Sequence, residues 1–560
     1  MENKTIGKTL KLLSQLMELH DENPFKIKSI ASAAFKVDKL PFRAADKTLK
    51  ELEEVSGIGK STASKIWELI HNQTITDLEN LLIDTPTGIV EMLQIKGLGP
   101  KKISVIWKDL TIETIGELFY ACNENRLAEA KGFGLKTQEE IKNAIKFKMA
   151  SHGRFLYAQV EVFAEQLLAQ LKTTFNSTLV SFTADYRRRN EIIDRLTLLA
   201  AVSLDVLRSQ ADKIPSLSQI QITDNGLEAE GPLGIKVYIS LCAPENFAFQ
   251  LIMQTGNTEH IEELKTRLES SAESSTSETE IYKLAGLPFI EPELREGLNE
   301  FKLAENDNLP TLLDWSDLKG SLHNHSTWSD GIHSLEEMAT FCKDELKLQY
   351  LGICDHSRSA FYAKGLSEER VLAQHREIDT LNVKLTPFKI FKGIESDILF
   401  DGSLDYTDEI LSSFDFVVAS IHSVFKMSEE KATDRLIKAI ENPYTTILGH
   451  PTGRLLLSRG GYPINFEKVI DACAANKVVI EINANPLRLD LDWRWHRYAL
   501  EKGVLLSVNP DAHRKDGFYD MRYGVLIARK GGLSAENCLN TFDLNRITNF
   551  FGQRKSALTP

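Results

Sequence analysis

The chain has 560 residues, of which 42% are hydrophobic and 26% are charged, and its formal net charge is −13. This length exceeds what one hydrophobic core organises, and the composition is that of a folded globular protein, so several domains are expected. No apolar run approaches the roughly 18 residues that span a bilayer, and no signal pattern is present, so the sequence predicts a cytoplasmic protein without membrane contact. The six scattered cysteines contain no Cys-x-x-Cys pair and predict neither disulfides nor a thiolate zinc site.

Residues 1–150 predict helices joined by glycine turns, and one type of turn occurs three times. Each copy is a Gly-apolar-Gly sequence with a lysine close behind it: Gly57, Gly59 and Lys60; Gly97, Gly99 and Lys101; Gly132, Gly134 and Lys136. Such glycines let backbone N–H groups at a helix N-terminus approach a phosphodiester oxygen without reading the bases. One copy alone would indicate a helix end and a turn. Three copies, each with a lysine, predict DNA contact and resemble helix-hairpin-helix motifs.

The middle of the chain predicts a small α+β region. A helix over 155–171 precedes strand-like segments at 178–183, 196–201 and 235–241. The polar segment Ser270–Glu280 is expected to be a mobile loop, and Pro288–Asp317 is expected to be an extended linker.

Beyond Leu318, short apolar strands alternate with helices, which is the pattern of a β/α barrel. Seven strands are predicted, at residues 320–323, 350–354, 388–394, 414–420, 446–449, 478–482 and 505–509. Almost every strand ends in a polar loop that carries His, Asp or Glu. Because the active sites of barrels lie at the carboxyl ends of the strands, these side chains are expected to converge on one mouth. Imidazole and carboxylate groups suit zinc, manganese or iron.

The motifs in these loops resemble those of the PHP (polymerase and histidinol phosphatase) domain, and the whole chain resembles the bacterial DNA polymerase X proteins. The motifs are His323-Asn-His325, Ser329-Asp330-Gly331, Asp355-His356-Ser357, Gly393-Ile-Glu395, Ser420-Ile-His422, Gly449-His450-Pro451 and Asp511-Ala-His513. The resemblance implies a distorted (β/α)7 barrel that binds three divalent metals, zinc, manganese or iron. One metal would be held by His323, His325, Glu395 and Asp511, the second by Asp330, His356 and His450, and the third by Glu395, His422 and His513. Arg454 would clamp a phosphate, with an ion pair as the alternative.

The same resemblance implies how the chain is divided. A helical domain would occupy residues 1–82, a fingers-like helix-hairpin-helix domain 83–150, a palm-like domain 151–230, a thumb-like domain 231–305, a linker 306–316 and the PHP domain 317–560. The fold class is therefore an all-α region, an α+β polymerase-beta-like region and a barrel.

The palm-like domain departs from the family pattern. In the family, a Gly-Ser-x-Arg-Arg segment holds the triphosphate and three carboxylates hold two Mg²⁺ ions. Here the segment is Ala184-Asp185-Tyr186-Arg187-Arg188, and alignment puts Arg195, Thr197 and Tyr238 at the carboxylate positions. Asp194 is one residue out of register and would face the other side of its strand. Mg²⁺ is therefore not expected at the palm, and nucleotidyl transfer is predicted to be lost.

The resemblance also places a lyase lysine at Lys65, in the first helical domain. A Schiff-base lysine attacks the sugar aldehyde of an abasic site as the neutral amine. The alternative is an exposed helix lysine close to a DNA phosphate.

The sequence thus predicts a monomeric DNA repair protein that acts on 3′ ends of gapped, nicked or single-stranded DNA as a metal-dependent 3′–5′ exonuclease. Removal of 3′-blocking groups and cleavage at abasic sites are further activities of the same chemistry. Three alternatives stay open: a polymerase that works through Asp185, Asp194 and another acid, a phosphatase on a small phosphoester such as histidinol phosphate, and a DNA-binding scaffold with a structural metal cluster.

Overall fold

The computed structural model describes residues 1–150 and 153–556 of the chain. It divides into two compact units, residues 1–146 and 147–560. The six cysteines are free thiols, as the sequence predicted. Within the described residues, no helix is long and apolar enough to cross a membrane.

The first unit is built from helices. They are α1 (Asn3–Leu19), α2 (Pro24–Asp38), α3 (Leu49–Glu53), α4 (Lys60–Asn72), α5 (Thr76–Asp84), α6 (Thr87–Met92), α7 (Pro100–Ser104), α8 (Ile115–Asn123), α9 (Arg126–Glu129) and α10 (Leu135–Ala150). In α1 the apolar residues at helical spacing, Ile6, Leu10 and Leu13, are fully buried, so one face of the helix forms core. Thr48 and Thr114 close capping boxes that start α3 and α8.

The second unit begins with an α+β region. Its strands are β1 (Phe155–Leu156), β2 (Val180–Phe182), β3 (Ile192–Ile193), β4 (Arg195–Ala200), β5 (Ser218–Thr223), β6 (Gly226–Glu230) and β7 (Lys236–Leu241). Its helices are α11 (Tyr157–Thr174), α12 (Ala184–Arg187), α13 (Leu204–Gln210), α14 (Phe247–Thr255), α15 (Thr258–Lys265), α16 (Glu278–Leu284) and α17 (Glu300–Glu305). The main sheet has the order β2-β4-β7-β6-β5, in which β4 and β7 run parallel.

Two predictions about the end of this region are wrong. The segment expected to be a mobile loop includes the start of α16, whose first turn is capped by the Ser277 hydroxyl. The segment expected to be an extended linker contributes Ile290 and Phe301 to a buried cluster around Tyr282. Further along, the N–H of Leu313 donates to the carbonyl of Leu533 at 2.8 Å. Apolar residues spaced among prolines and acids thus pack onto the rest of the unit, which their local composition does not reveal.

A parallel seven-stranded sheet forms a nearly closed barrel at the carboxyl end, as predicted. Its strands are β8 (Gly320–Ser321), β9 (Tyr350–Ile353), β10 (Lys389–Asp397), β11 (Phe416–Ser420), β12 (Ile447–Leu448), β13 (Val479–Asn483) and β14 (Leu506–Asn509), in chain order across the sheet. The helices are α18 (Leu335–Asp344), α19 (Glu368–Leu385), α20 (Asp408–Leu411), α21 (Glu429–Ile440), α22 (Phe466–Asn476), α23 (His496–Glu501), α24 (Met521–Lys530) and α25 (Leu544–Ser556).

Side chains and loops bridge the first and last strands of the barrel. The buried amide of Asn540 donates to the carbonyls of Gly320 at 3.1 Å and Val508 at 2.9 Å. On the carboxyl side of the strands, the N–H of His325 donates to the carbonyl of Ala512 at 2.9 Å. This seam places the loop after β8 directly beside the loop after β14.

Candidate metal centre and nucleic-acid interface

The carboxyl ends of the barrel strands bring nine predicted metal ligands into one cluster. Glu395 on β10 lies at its centre. Its Oε1 lies 3.3 Å from His323 Nε2, 3.1 Å from His422 Nε2 and 3.0 Å from His450 Nε2. Its Oε2 lies 3.0 Å from His356 Nδ1. One carboxylate is thus shared by imidazoles from four different loops.

Two further carboxylates complete the cluster. Asp330 Oδ2 lies 3.5 Å from His356 Nε2, and Asp330 Oδ1 lies 3.4 Å from His513 Nε2. Asp511 Oδ1 lies 3.0 Å from His325 Nε2. The cluster contains three groups of residues, and within each group the ligand atoms lie within 4.8 Å of one another. The groups are His325, Asp330, His356 and His513; His323, His325 and Asp511; and His356, Glu395 and His422.

This geometry corrects the ligand assignment implied by the resemblance. His513 lies beside Asp330 and His356, where His450 was expected. His450 lies beside Glu395, where His513 was expected. The two histidines exchange places because the loop after β14 meets the loop after β8 across the seam of the barrel, which sequence order alone does not indicate.

The residues fit divalent metal ions. His356 Nδ1 and Glu395 Oε2 are buried and only 3.0 Å apart, yet among the described residues neither makes a hydrogen bond. His323 Nε2 and Asp330 Oδ2 are likewise buried without a hydrogen-bond partner. Buried polar atoms normally have hydrogen-bond partners. Imidazole nitrogens and carboxylate oxygens that lack such partners and lie close together can instead bind one cation between them. The cluster can therefore bind metal.

Protonation in the cluster reflects burial and mutual charge. Burial opposes the charged form of His323, but Glu481, Glu395 and Asp511 outweigh it and raise the pKa of His323 well above its usual value. Burial lowers the pKa of His325 to about 3, helped by the neighbouring His513 and His356. Without cations, protons on some imidazoles balance the carboxylates, so metal binding is expected to release protons.

Buried carboxylates outside the ligand set orient the imidazoles. Glu481 lies 2.7 Å from His323 Nδ1 and accepts from the His450 N–H at 3.1 Å. Asp397, two residues after Glu395 on the same face of β10, bonds His422 Nδ1. Asp397 is a site residue that was not predicted from the sequence. Its position two residues after Glu395 could have indicated it, because residues i and i+2 of a strand face the same side. These contacts leave the Nε2 atoms facing the cluster.

Arg454 does not have the free guanidinium that a phosphate clamp needs. Its Nε donates to the carbonyl of Arg488 at 2.9 Å, Nη2 donates to the carbonyl of Leu489, and Nη1 pairs with Asp492. The prediction of a phosphate clamp is therefore corrected. Arg454 organises the loop after β13, which is closer to the ion-pair alternative.

The palm-like sheet places the three degenerate positions side by side. Thr197 on β4 pairs directly with Tyr238 on β7, and the guanidinium of Arg195 lies 5.5 Å from the Tyr238 ring centroid. The Thr197 hydroxyl also accepts from Thr183 at 2.9 Å. A cation stacked on an aromatic ring thus lies at the positions that the resemblance aligns with the carboxylates. Asp194 is exposed ahead of β4 and lies 3.5 Å from Arg154.

The two arginines of the degenerate triphosphate segment are engaged with protein acids. Arg187 Nη1 donates to Glu278 at 2.9 Å and to the Thr255 hydroxyl at 2.8 Å. Arg188 Nε donates to Glu296 at 2.9 Å, and its Nη2 pairs with Asp185. These guanidinium N–H groups thus donate to partners within the protein.

The three glycine turns of the first unit share one backbone geometry. The first glycine of each turn, Gly57, Gly97 or Gly132, has φ of 85°, 92° or 88°, a left-handed conformation that favours glycine. The second, Gly59, Gly99 or Gly134, immediately precedes α4, α7 or α10. Lys60, Lys101 and Lys136 are exposed in the first turns of these helices. The same helix N-terminus with a nearby cation is therefore presented three times.

Lys65 lies on α4 and faces a cavity of about 420 Å³ that Lys26, Asp77 and Asp84 also line. Its ammonium pairs with Asp77. The lyase role of Lys65 stays a prediction.

Comparisons with known proteins agree with this architecture. Residues 1–75 match the helix-hairpin-helix domain family, and residues 89–147 match the SAM-like helix-hairpin-helix tandem family. The DNA polymerase/3′-5′ exonuclease PolX of Bacillus subtilis (strain 168) is 34% identical, over 98% of this chain and 99% of its own. A probable phosphatase of Thermoanaerobacter sp. (strain X514) is 32% identical over 32% of this chain and 76% of its own. A probable phosphatase of Acetivibrio thermocellus is 34% identical over 36% of this chain and 84% of its own.

Helix-hairpin-helix units joined to a polymerase-like region and a barrel with a metal-ligand cluster define a DNA-binding protein with a hydrolase domain of the PHP type. The sequence identity to the Bacillus subtilis PolX protein extends over nearly the whole of both chains, and it narrows this class to one family. The chain belongs to the PolX family of bacterial DNA polymerase X proteins.

Proposed function

We propose that this chain hydrolyses DNA phosphodiesters as a metal-dependent 3′–5′ exonuclease and that it does not polymerise. One contrast carries the proposal. The barrel keeps nine imidazole and carboxylate ligands within mutual reach, whereas the palm has Arg195 and Tyr238 where magnesium ligands belong. The exonuclease activity named for the Bacillus subtilis relative supports the exonuclease part of this proposal.

The barrel is proposed to bind three divalent ions, zinc, manganese or iron, one at each of three groups of ligands. Asp511 with His323 and His325 would hold the first, and Asp330 with His356 and His513 the second. Glu395 with His422 and His450 would hold the third. When bound, such ions activate water for attack on phosphorus and neutralise charge on the phosphodiester oxygens. Glu481 and Asp397 fix the imidazoles that face them.

The DNA substrate is supported by the first unit. Three helix-hairpin-helix turns present backbone N–H groups and lysines that suit successive phosphates, independent of base sequence. A phosphatase on a small phosphoester is the second candidate, because probable phosphatases match about a third of this chain. Such an enzyme would have no use for the repeated turns.

The test is one set of reactions with the full-length protein and Mn²⁺. DNA labelled at its 5′ end, either single-stranded or gapped, is incubated with and without deoxynucleoside triphosphates. We expect stepwise shortening from the 3′ end, no primer extension, and loss of cleavage in Asp511→Ala. Asp516→Ala, which changes an exposed acid in the same loop, is the matched control.

Two outcomes would contradict the proposal. Primer extension by the wild type that Asp194→Ala abolishes would show that a palm centre persists. Hydrolysis of a phosphomonoester without any cleavage of DNA would favour the phosphatase. Circular dichroism of Asp511→Ala separates lost chemistry from lost folding.

A further inference from the structure

Three neighbouring loops at the barrel mouth each carry a phenylalanine just beyond a residue of the metal cluster. Phe361 follows His356 by five residues, Phe400 follows Glu395 by five, and Phe425 follows His422 by three. The side chains of Phe361 and Phe400 are 88% and 55% exposed. Large aromatic side chains so uncovered beside a reaction centre suggest contact with a ligand.

The fold fixes these residues around the cluster. Strands β9, β10 and β11 are adjacent in the sheet, so the loops that follow them are neighbours on the same side. The ring of Tyr362, next to Phe361 in the chain, lies 6.1 Å from the ring of His356. The turn that bears Phe361 therefore borders the cluster directly.

Basic side chains accompany the aromatic rings. Lys431 Nζ lies 4.6 Å from the Phe400 ring centroid, and the Arg459 guanidinium lies 4.3 Å from that of Phe425. Phe425 in turn stacks on Tyr462 with ring centroids 6.0 Å apart. The rim thus combines aromatic faces with positive charge in a chain whose net charge is −13.

Two acids that follow these phenylalanines in the chain are already paired. Glu368 lies 3.3 Å from Arg358, and Asp401 lies 2.9 Å from Lys438. They would therefore repel a polyanion less than unpaired carboxylates would. Aromatic rings that stack on bases, next to cations that meet phosphates, are the usual composition of surfaces that bind single-stranded nucleic acid.

We infer that Phe361 and Phe400 form a stacking platform for unpaired bases, which makes a single-stranded DNA end with several free nucleotides the substrate of the barrel. The inference rests on the proposed function and specifies its substrate class. The bases of a duplex are already paired and stacked, so an intact double-stranded end would have to fray before it used the platform. A small phosphomonoester would make no use of it.

The test compares two substrates in each protein variant. One is a single-stranded oligonucleotide, and the other is bis(p-nitrophenyl) phosphate, a diester without bases. The readout is the ratio of kcat/KM for the oligonucleotide to kcat/KM for the small diester. In Phe361→Ala/Phe400→Ala we expect this ratio to fall by about tenfold or more, through a higher KM for DNA. Phe361→Trp/Phe400→Trp, which keeps the aromatic faces, is expected to retain the ratio.

Val383→Ala is the matched control, because Val383 is an exposed apolar residue near the end of α19, away from the mouth. An unchanged ratio in the double alanine variant, with both substrates hydrolysed by the wild type, would overturn the platform and leave the proposed function intact. If the wild type hydrolyses neither substrate with Mn²⁺, the proposed function is wrong. The inference of a stacking platform, which rests on that function, is then wrong as well.

Discussion

Glu395 determines the character of the cluster because one carboxylate serves imidazoles from several loops. Burial raises its pKa, but His422, His323 and His356 outweigh burial and hold the pKa well below its usual value. The carboxylate is therefore ionised, as a metal ligand must be. The residues that hydrogen-bond to metal ligands affect metal affinity almost as much as the ligands do, since they fix the orientation of each imidazole ring.

Glu481→Gln tests this dependence on a residue that is not a ligand. The amide keeps the volume of the side chain but removes the charge that faces His323. We expect the affinity for Mn²⁺ or Zn²⁺ to fall about 10–100-fold, as for other partners of metal-bound histidines. Titration of metal-free protein against a competing chelator measures it. Glu501→Gln, an exposed change in the same domain, should leave the affinity unchanged, and equal affinities for Glu481→Gln and the wild type would contradict the role.

Among the elements, α16 shows how the α+β region is held together. Its first residue, Glu278, accepts from Arg187 at 2.9 Å and from Arg295 at 2.6 Å. Arg187, the last residue of α12, thus joins α12 to α16. Burial raises the pKa of Glu278, but both arginines outweigh it and lower the pKa below the usual 4.5. The group therefore stabilises the fold fully above that value, and its contribution is lost as pH falls through the lower folded pKa.

Glu278→Gln is expected to reduce the free energy of unfolding by about 3 kcal/mol at pH 7, because it leaves buried guanidinium groups without a countercharge. The difference from the wild type should shrink as pH falls below 4.5, where the carboxylate of the unfolded chain begins to take up its proton, and should be lost as pH passes the lower folded pKa. Urea unfolding monitored by circular dichroism at several pH values measures both. Glu262→Gln on the exposed face of α15 is the control. A difference that stays constant down to acid pH would show that charge is not the cause.

At the scale of the molecule, Lys530 joins the barrel to the α+β region that precedes it. Its buried ammonium donates to the carbonyl of Arg188 at 3.0 Å and pairs with Glu296. Glu191 accepts in addition from Trp493 Nε1 at 3.1 Å. Residues of the α+β region around Arg188 and Glu191 thus hold the barrel in place.

Lys530→Met is expected to lower the free energy of unfolding of this unit by about 3 kcal/mol, because a buried charge pair loses one partner. Differential scanning calorimetry should show a lower transition temperature or a transition split in two. Lys502→Met removes the exposed pair with Asp471 and should change little. If Lys530→Met melts with the same profile as the wild type, Lys530 does not hold the barrel to the preceding region.

The sequence by itself determined the barrel, because strand-length apolar runs alternate with helices and each run ends in His, Asp or Glu. It also determined the three glycine turns, since they are a local pattern of residue type, and it predicts that the palm lacks its carboxylates. Only the tertiary structure decided which histidine joins which carboxylate, because His450 and His513 belong to loops whose neighbours depend on closure of the barrel. It also decided that Arg454 is held by the loop after β13 and that Ile290, Phe301 and Ala304 pack as core. Such partners are distant in the chain, and spacing does not encode them.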